Sequence, residues 1–356
     1  MDIAVFTDTY LPTVNGVSYT ISEWKDTWEQ ENREMYVVYP DGGVDIDSGV
    51  STRSMTFPFY KDCKMGLPKF NIGIDEYDLV HAHTPFTIGG SGLLLSKYSD
   101  TPLVVSYHTP IHEYIDYLPV GQRVAEKIAK KFQNLFFSTA DAVVVPTNHV
   151  KRKVERRTDT HVHAISNGVD TEFFKPKTTT EIDVRQQLEP NRPVVGYTGR
   201  HGHEKNIELI FEELGSEDVN ILIGGDGPAR DKLEKLARDC DANTVFTGFV
   251  DHDKLPDLYN QMDVFAFPSP VETQGKVALE SIACGTPVVG LDKGALSETI
   301  NHGVTGELST EEKFGDSVLS VLENRRQFSD SCIEIRDELS IQNSVEDLEA
   351  LYESLL

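Results

Sequence analysis

Glu272 and Glu280 stand eight residues apart in the run Glu272-Thr273-Gln274-Gly275-Lys276-Val277-Ala278-Leu279-Glu280. Gly275 is predicted to open a helix that stops at Cys284-Gly285, ahead of the strand Pro287-Val288-Val289-Gly290. Free backbone N–H groups and the helix dipole favour an anion such as phosphate at that N-terminus. One carboxylate precedes the helix and the other lies about two turns into it. A rise of about 1.5 Å per residue sets them roughly 10 Å or more apart. That is too far for an acid/base pair acting on one bond. It suits two acceptors gripping different parts of one long polar ligand, with its phosphates between them.

Other candidate groups follow predicted strands, where open α/β sheets carry ligands. Gly199-Arg200 and Glu204-Lys205 supply a planar guanidinium fork and a point charge, the two cation types that take phosphate oxygens. They converge on one diphosphate if the Gly202 loop folds back. His201 and His203 could be read as metal ligands, but no acidic or Cys partner accompanies them. Thr7-Asp8-Thr9-Tyr10-Leu11-Pro12-Thr13-Val14-Asn15-Gly16 leads from a strand into a helix. It is either a plain turn or a place where Gly16 lets a phosphate or sugar approach the backbone. Ser106-Tyr107-His108-Thr109-Pro110 ends another strand. A lone His is usually structural, yet this position favours a functional His108. Gly224-Gly225-Asp226-Gly227 reads as a turn first and a ligand contact second, and Asp251 as the N-cap of the next helix. Asp45-x-Asp47 and Asp251-x-Asp253 match a metal pattern that chance readily produces among 58 acidic residues. His81-x-His83 is read as lining a cleft.

Glu272-x7-Glu280 followed by Cys284-Gly285-Thr286-Pro287-Val288-Val289 resembles the signature of the retaining, GT4-type glycosyltransferases of the GT-B fold. The wording Glu-Thr-Gln-Gly is most similar to members that glycosylate membrane lipids, the diacylglycerol glucosyltransferases and sulfolipid synthases. The resemblance implies that Glu272 contacts hydroxyls of the donor sugar and Glu280 the ribose. It assigns Arg200 and Lys205 to the pyrophosphate, and Gly16 and the helix opening at Gly275 to the diphosphate cradle. His108 would contact the donor sugar, with its carbonyl near the reacting carbon. The backbone at Phe249 and Val250 would read the nucleobase. Gly199, Gly225, Lys276 and Val277 complete the expected donor site. Such enzymes hold the diphosphate with Arg, Lys and helix dipoles, so the resemblance implies neither metal nor cofactor. It implies transfer without a nucleophilic side chain, by displacement on the same face. Ser281 departs from the usual Ala and can hydrogen-bond its own helix.

The elements that must position these residues alternate along the chain. Strands are predicted at 3–7, 35–39, 79–83, 103–107 and 142–146, with helices at 18–30, 87–98, 120–139 and 148–157. After a break at 166–192, strands return at 194–199, 219–224, 245–248, 264–268 and 287–291. Alternation of this kind predicts parallel, doubly wound sheets. The fold class is therefore α/β, in two Rossmann-like domains. With the resemblance this becomes GT-B: two domains facing a central cleft, an acceptor-side domain over 1–170 and a nucleotide-sugar domain over 171–340. A last helix over 341–356 packs back on the first domain by analogy.

The 356 residues carry a net charge of −25, which argues against nucleic acid as a partner. Charge of this size is screened at high salt, and we read it as the halophilic composition of an archaeal protein; the other reading is an ordinary acidic enzyme. Residues 123–157 invert the pattern, with nine basic and three acidic residues. Within them, 123–137 forms a basic amphipathic helix. It either lies on an anionic membrane surface or faces the core with a solvated rim. Cys63, Cys240, Cys284 and Cys332 have no paired spacing, in keeping with reduced thiols. There is no apolar run long enough to span a bilayer, and Met1–Phe6 reads as a strand. A cytoplasmic protein is expected, peripheral at the inner face of the membrane if the amphipathic helix binds it. The expected activity moves a hexose from a UDP- or GDP-sugar to a lipid or lipid-linked acceptor. The alternatives are extension of a polysaccharide or N-glycan precursor, and non-catalytic binding of a sugar nucleotide.

Overall fold

The computed structural model describes residues 1–30, 33–42, 46–56, 64–70, 76–84, 86–108, 121–181, 183–240 and 242–356. Asp45, Cys63, Thr109, Pro110 and residue 120, where a helix was predicted to begin, lie outside the described residues. The chain divides into two compact units, Met1–Asn167 with Ile341–Leu356, and Gly168–Ser340.

The strands of the first unit are β1 (Ile3–Phe6), β2 (Met35–Pro40), β3 (Gly49–Thr52), β4 (Ser54–Thr56), β5 (Lys64–Gly66), β6 (Leu79–Ala82), β7 (Leu103–Ser106), β8 (Ala142–Val145) and β9 (Val162–Ala164). Seven form one parallel sheet in the order β3-β2-β1-β6-β7-β8-β9, while β4 and β5 pair as an antiparallel hairpin. Every residue of β1, β6, β7 and β8 is buried. Strands covered on both faces read as continuous apolar runs, which is why the sequence announces these four. It did not announce β3 or β9, which are short and partly exposed at the two sheet edges. Helix Gly16–Glu29 covers one face through Ile21, Trp24 and Trp28. The other face is covered with Ile88 and Leu95 of helix Thr87–Ser99 and Phe136 and Phe137 of helix Gln122–Thr139.

Asp8 fixes the start of helix Thr87–Ser99, which has no side-chain cap of its own. Its buried carboxylate accepts from Ile88 N at 2.9 Å, Gly89 N at 3.2 Å, and the hydroxyls of Thr84 and Thr87 at 2.8 Å each. Burial raises its pKa despite these bonds, which pull the other way.

The helix Ile341–Glu353 belongs to this first unit and packs on helix Gly16–Glu29. Ile341, Val345, Leu348, Leu351 and Tyr352 are buried along one stripe. Tyr352 meets Trp28 edge-on at 5.7 Å between ring centroids. Its hydroxyl lies 2.6 Å from Nδ1 of His81, whose Nε2 lies 2.8 Å from the Ser106 hydroxyl. His81 and His83 do not line a cleft as the sequence reading had it. They are 0% and 3% exposed and belong to this interior polar cluster.

The second unit holds β10 (Val194–Thr198), β11 (Asn220–Gly224), β12 (Thr244–Gly248), β13 (Val264–Phe267), β14 (Val288–Leu291) and β15 (Gly306–Ser309). They form a parallel sheet in the order β12-β11-β10-β13-β14-β15 around one large apolar core. Residues Gly306–Ser309, a strand the sequence reading omitted, pair along β14 at the edge.

The Tyr352–His81 contact is testable. Tyr352→Phe leaves a buried imidazole nitrogen without its hydroxyl partner, which costs about 1–3 kcal/mol. Urea unfolding should register that loss, and an unchanged midpoint would show that the contact contributes nothing.

Candidate active site

In the second sheet the strand order reverses beside β10: β11 and β12 lie on one side, β13 to β15 on the other. Connections leaving the carboxyl ends of β10 and β13 diverge there, and this is where open α/β sheets hold ligands. The exit of β10 carries Gly199, Arg200 and Lys205; that of β13 carries Glu272 and Gly275.

After β10 the chain does fold back at Gly202. Gly202 N donates to Arg200 O at 2.9 Å and Lys205 N to Gly202 O at 3.1 Å, closing a single 3-10 turn over His203–Lys205. Asn206, at φ 54°, ends that turn. Nζ of Lys205 reaches Oε1 of Glu272 at 2.8 Å, so two of the expected site residues form an ion pair across the reversal. Both side chains are largely shielded from water, at 16% and 13% exposure. Arg200 pairs with Glu204, a partner the sequence reading did not single out. Tyr197 lies beneath these charges. Burial raises its pKa, and its hydroxyl donates to Arg200 O at 3.3 Å.

After β13, Gly275 takes the N-cap position of helix Lys276–Ala283 with φ 86° and ψ 63°. Glycine is required there twice over: the backbone is left-handed, and a Cβ would come 2.8 Å from the Phe267 ring. With no capping side chain, the first N–H groups of Lys276 and Val277 begin the helix uncapped by Gly275. The side chain of Lys276 turns to Gly168 O at 3.3 Å, and Val277 packs against the core. Thr299 pins the loop by donating to Gln274 O at 2.6 Å. Glu280 is buried at 4% exposure and accepts from the Tyr259 hydroxyl at 2.7 Å. Tyr259 itself accepts from Thr198 at 2.9 Å. Burial first, then the Glu280 charge, drives the phenol pKa well up. Ser281 donates to Thr286 O at 2.9 Å, closing the stop of the helix instead of facing a ligand.

The exits of β10, β11 and β12 are stitched together through backbone. Gly199 N donates to Gly224 O at 3.2 Å, Gly225 N to Gly248 O at 2.7 Å, and His201 N to Asp226 O at 2.8 Å. Gly225 sits at φ 105°, and a Cβ there would stand 2.0 Å from Gly199 O. Its glycine is thus demanded by the neighbouring strand exit. His201 is wholly buried with Nε2 toward Gly224 O at 3.3 Å, and its pKa is lowered, mainly by burial. Among the described residues no three His, Cys, Asp or Glu are grouped to hold a metal. Phe249 stands 59% exposed just past Gly248, with Val250 partly buried beside it. Asp251 occupies the N-cap position expected of it but makes no side-chain capping bond.

Gly16 and His108 lie in the first unit. There the order also reverses, between β1 and β6, and Gly16 begins the helix that follows β1. Asn15 caps this helix by accepting from Ser18 N at 2.9 Å. A Cβ on Gly16 would meet nothing within 4 Å. His108, two residues beyond β7, is 9% exposed, and its Nε2 lies 2.9 Å from Nδ1 of His83. Burial depresses both imidazoles, that of His108 to about 4.

Two parallel, doubly wound sheets define an α/β architecture, and known structures give it the GT-B form. The chain superposes over its full length on sucrose-phosphate synthase from Thermosynechococcus elongatus, with a TM-score of 0.81 at 19% identity and 99% of that chain covered. HepE of Anabaena, solved in complex with UDP, gives 0.80 at 18% identity over the whole of both chains. Residues 14–173 match the family model described as Glycosyltransferase Family 4, and residues 178–338 that of Glycosyl transferases group 1. The chain belongs to the GT4-type glycosyltransferases. It is 26% identical to an alpha-monoglucosyldiacylglycerol synthase of Streptococcus pneumoniae over 341 residues, 86% of this chain and 75% of that one. A GDP-mannose-dependent alpha-mannosyltransferase of Mycolicibacterium smegmatis is 28% identical over 322 residues, 86% and 84% of the two chains. A sulfoquinovosyl transferase of Arabidopsis thaliana is 31% identical over 274 residues, 73% of this chain and 53% of that one.

Gly225→Ala should destabilise the second unit by about 1–3 kcal/mol from backbone strain alone, with the Gly199 contact adding to it. Gly16→Ala should unfold like the wild type. Paired thermal melts check both, and equal melts for the two variants would contradict the stitched geometry.

Proposed function

We propose that this glycosyltransferase moves a hexose from a UDP- or GDP-sugar, with retention at the anomeric carbon, to a hydroxyl of a membrane lipid or lipid-linked acceptor. The Lys205–Glu272 ion pair beside the start of helix Lys276–Ala283 carries the donor reading. It places a cation, a carboxylate and a helix N-terminus around one strand reversal. In the proposed site Arg200 and Lys205 neutralise the departing nucleoside diphosphate, which is transition-state stabilisation by preorganised charge. The N-terminal turn of helix Lys276–Ala283, at Lys276 and Val277, and the open backbone at Gly16 contribute to the diphosphate cradle. Glu272, held in place by Lys205, reads sugar hydroxyls; Glu280, oriented by Tyr259, takes the ribose. Phe249 and Val250 flank the base, and His108 meets the sugar. No metal or cofactor is needed.

Helix Gln122–Thr139 supports the lipid reading. It buries Gln133, Phe136 and Phe137, while Val124, Ile128, Phe132 and Leu135 are 63%, 65%, 43% and 61% exposed. These four share a sector about 80° wide at 100° per residue. Arg123, Lys127, Lys130 and Lys131 are exposed too, on the adjoining sector. An exposed apolar stripe beside a row of cations is complementary to an anionic bilayer surface. The lipid-acting relatives support this acceptor class. The GDP-mannose-dependent relatives keep a GDP donor in view, and a polysaccharide or N-glycan precursor remains the second reading of the acceptor. No helix among the described residues is long and apolar enough to cross a membrane. Membrane contact would therefore be peripheral, at the inner face for a cytoplasmic protein.

Thermal melts in molar KCl against UDP, GDP and their sugars should show stabilisation by one nucleotide class, about 2.7 kcal/mol at a hundredfold excess over Kd. Arg200→Ala should abolish it, and a shift that survives in that variant would remove Arg200 from the site. Flotation with phosphatidylglycerol vesicles should recover the protein. Ile128→Asp with Leu135→Asp should reduce that recovery at least tenfold. No recovery on either lipid would favour the glycan acceptor, and equal recovery on phosphatidylcholine alone would remove the row of cations from the contact.

A further inference from the structure

His108 is gripped from within its own unit. Nε2 lies 2.9 Å from Nδ1 of His83, with the two rings within 5° of parallel. The Asn167 side chain also acts on the same ring, opposing the effect of burial on it. Trp24 holds Asn167 in turn, its indole Nε1 donating to Asn167 O at 2.9 Å, and its ring lies 5.8 Å from His83 and 6.0 Å from His108. His83 is anchored at the exit of β6, with its backbone N donating to Phe6 O at 2.9 Å. Trp24 is 1%, His83 3% and Asn167 9% exposed. A bond between two neutral imidazoles is directional: one ring nitrogen must donate and the other accept. A ring bonded to His83 cannot turn about its side-chain torsions without breaking that buried bond.

We propose that His83 and Asn167 are positioning residues that hold the His108 ring, and through it the main chain at the exit of β7, in the geometry needed for sugar transfer. This rests on the placing of His108 at the donor sugar. The His83 bond and the stacked His83 ring commit the imidazole inward, so what His108 offers a substrate depends on where its surroundings fix it. Neither partner touches the donor in this role. Their removal should lower kcat and leave nucleotide affinity, to which neither side chain contributes a contact in this role, unchanged.

The test uses the full chain, with release of UDP from UDP-glucose and of GDP from GDP-mannose as probes. In His83→Asn an amide nitrogen stands near the position of Nδ1, so the variant should keep most of the turnover. His83→Phe keeps a flat ring but no donor or acceptor. It should lose about 10- to 100-fold in kcat, as a small displacement at a reacting centre does, with the Kd for the nucleoside diphosphate within twofold of wild type. Asn167→Leu should behave like His83→Phe, and it decides the matter by the same criteria if His83→Phe fails to fold. Turnover within twofold of wild type in both variants overturns the proposal. So does a His83→Asn variant as slow as His83→Phe, because the hydrogen bond would then not be what matters. His108→Ala, run alongside, separates the two ideas. Normal turnover there removes His108 from the donor site, whereas loss there with normal His83→Phe turnover removes only the positioning role.

Discussion

The second unit depends on one topological fact: beside β10 the strand order turns back on itself. Because all six strands are parallel, every loop at their carboxyl ends emerges on one edge, and at the reversal two of them part. The residues in that gap can face a ligand without opening the apolar core. The gap also explains the local glycines. The exits of β10 and β11 approach backbone to backbone, so Gly225 has no room for a side chain, and Gly275 must turn left-handed before its helix can start. These tight joints are held by packing and by Thr299, and they fix where the charges stand.

Electrostatics in the gap are balanced before any substrate arrives. Lys205 is matched by Glu272 and Arg200 by Glu204. In a chain as acidic as this one, isolated cations would draw carboxylates from anywhere nearby; built-in partners hold them in chosen positions. A pair shielded from water is less screened by salt than a surface pair. The arrangement therefore suits an enzyme that handles an anionic donor despite a strongly negative surface.

Much of this was legible from residue types. Strands with both faces buried, such as Ala142–Val145 at β8 or Ile3–Phe6 at β1, declare themselves as unbroken apolar segments, and Arg200, Lys205 and Glu272 stood at the exits of such strands. What the sequence could not give was pairing. Nothing about Glu204 distinguishes it from dozens of other acids, and Tyr259 sits in a short helix with no pattern to link it to Glu280. His81 and His83 were read as lining a cleft because they stand at the end of a strand, but β6 is buried on both faces and both rings are buried with it. The amphipathic helix was ambiguous for a related reason: its sequence holds two apolar sectors, one through Phe136 and Phe137 and another through Ile128 and Leu135. Only packing tells which is covered.

The return of residues 341–356 to the first unit has a consequence for biosynthesis. The chain begins the first unit at its N-terminus but supplies the helix that covers Trp28 and His81 only after the whole of Gly168–Ser340 has been made. Domains generally fold as they are synthesised. Here the unit begun earliest cannot be completed until the whole of the second has been made, because Tyr352 follows Ser340 in the chain.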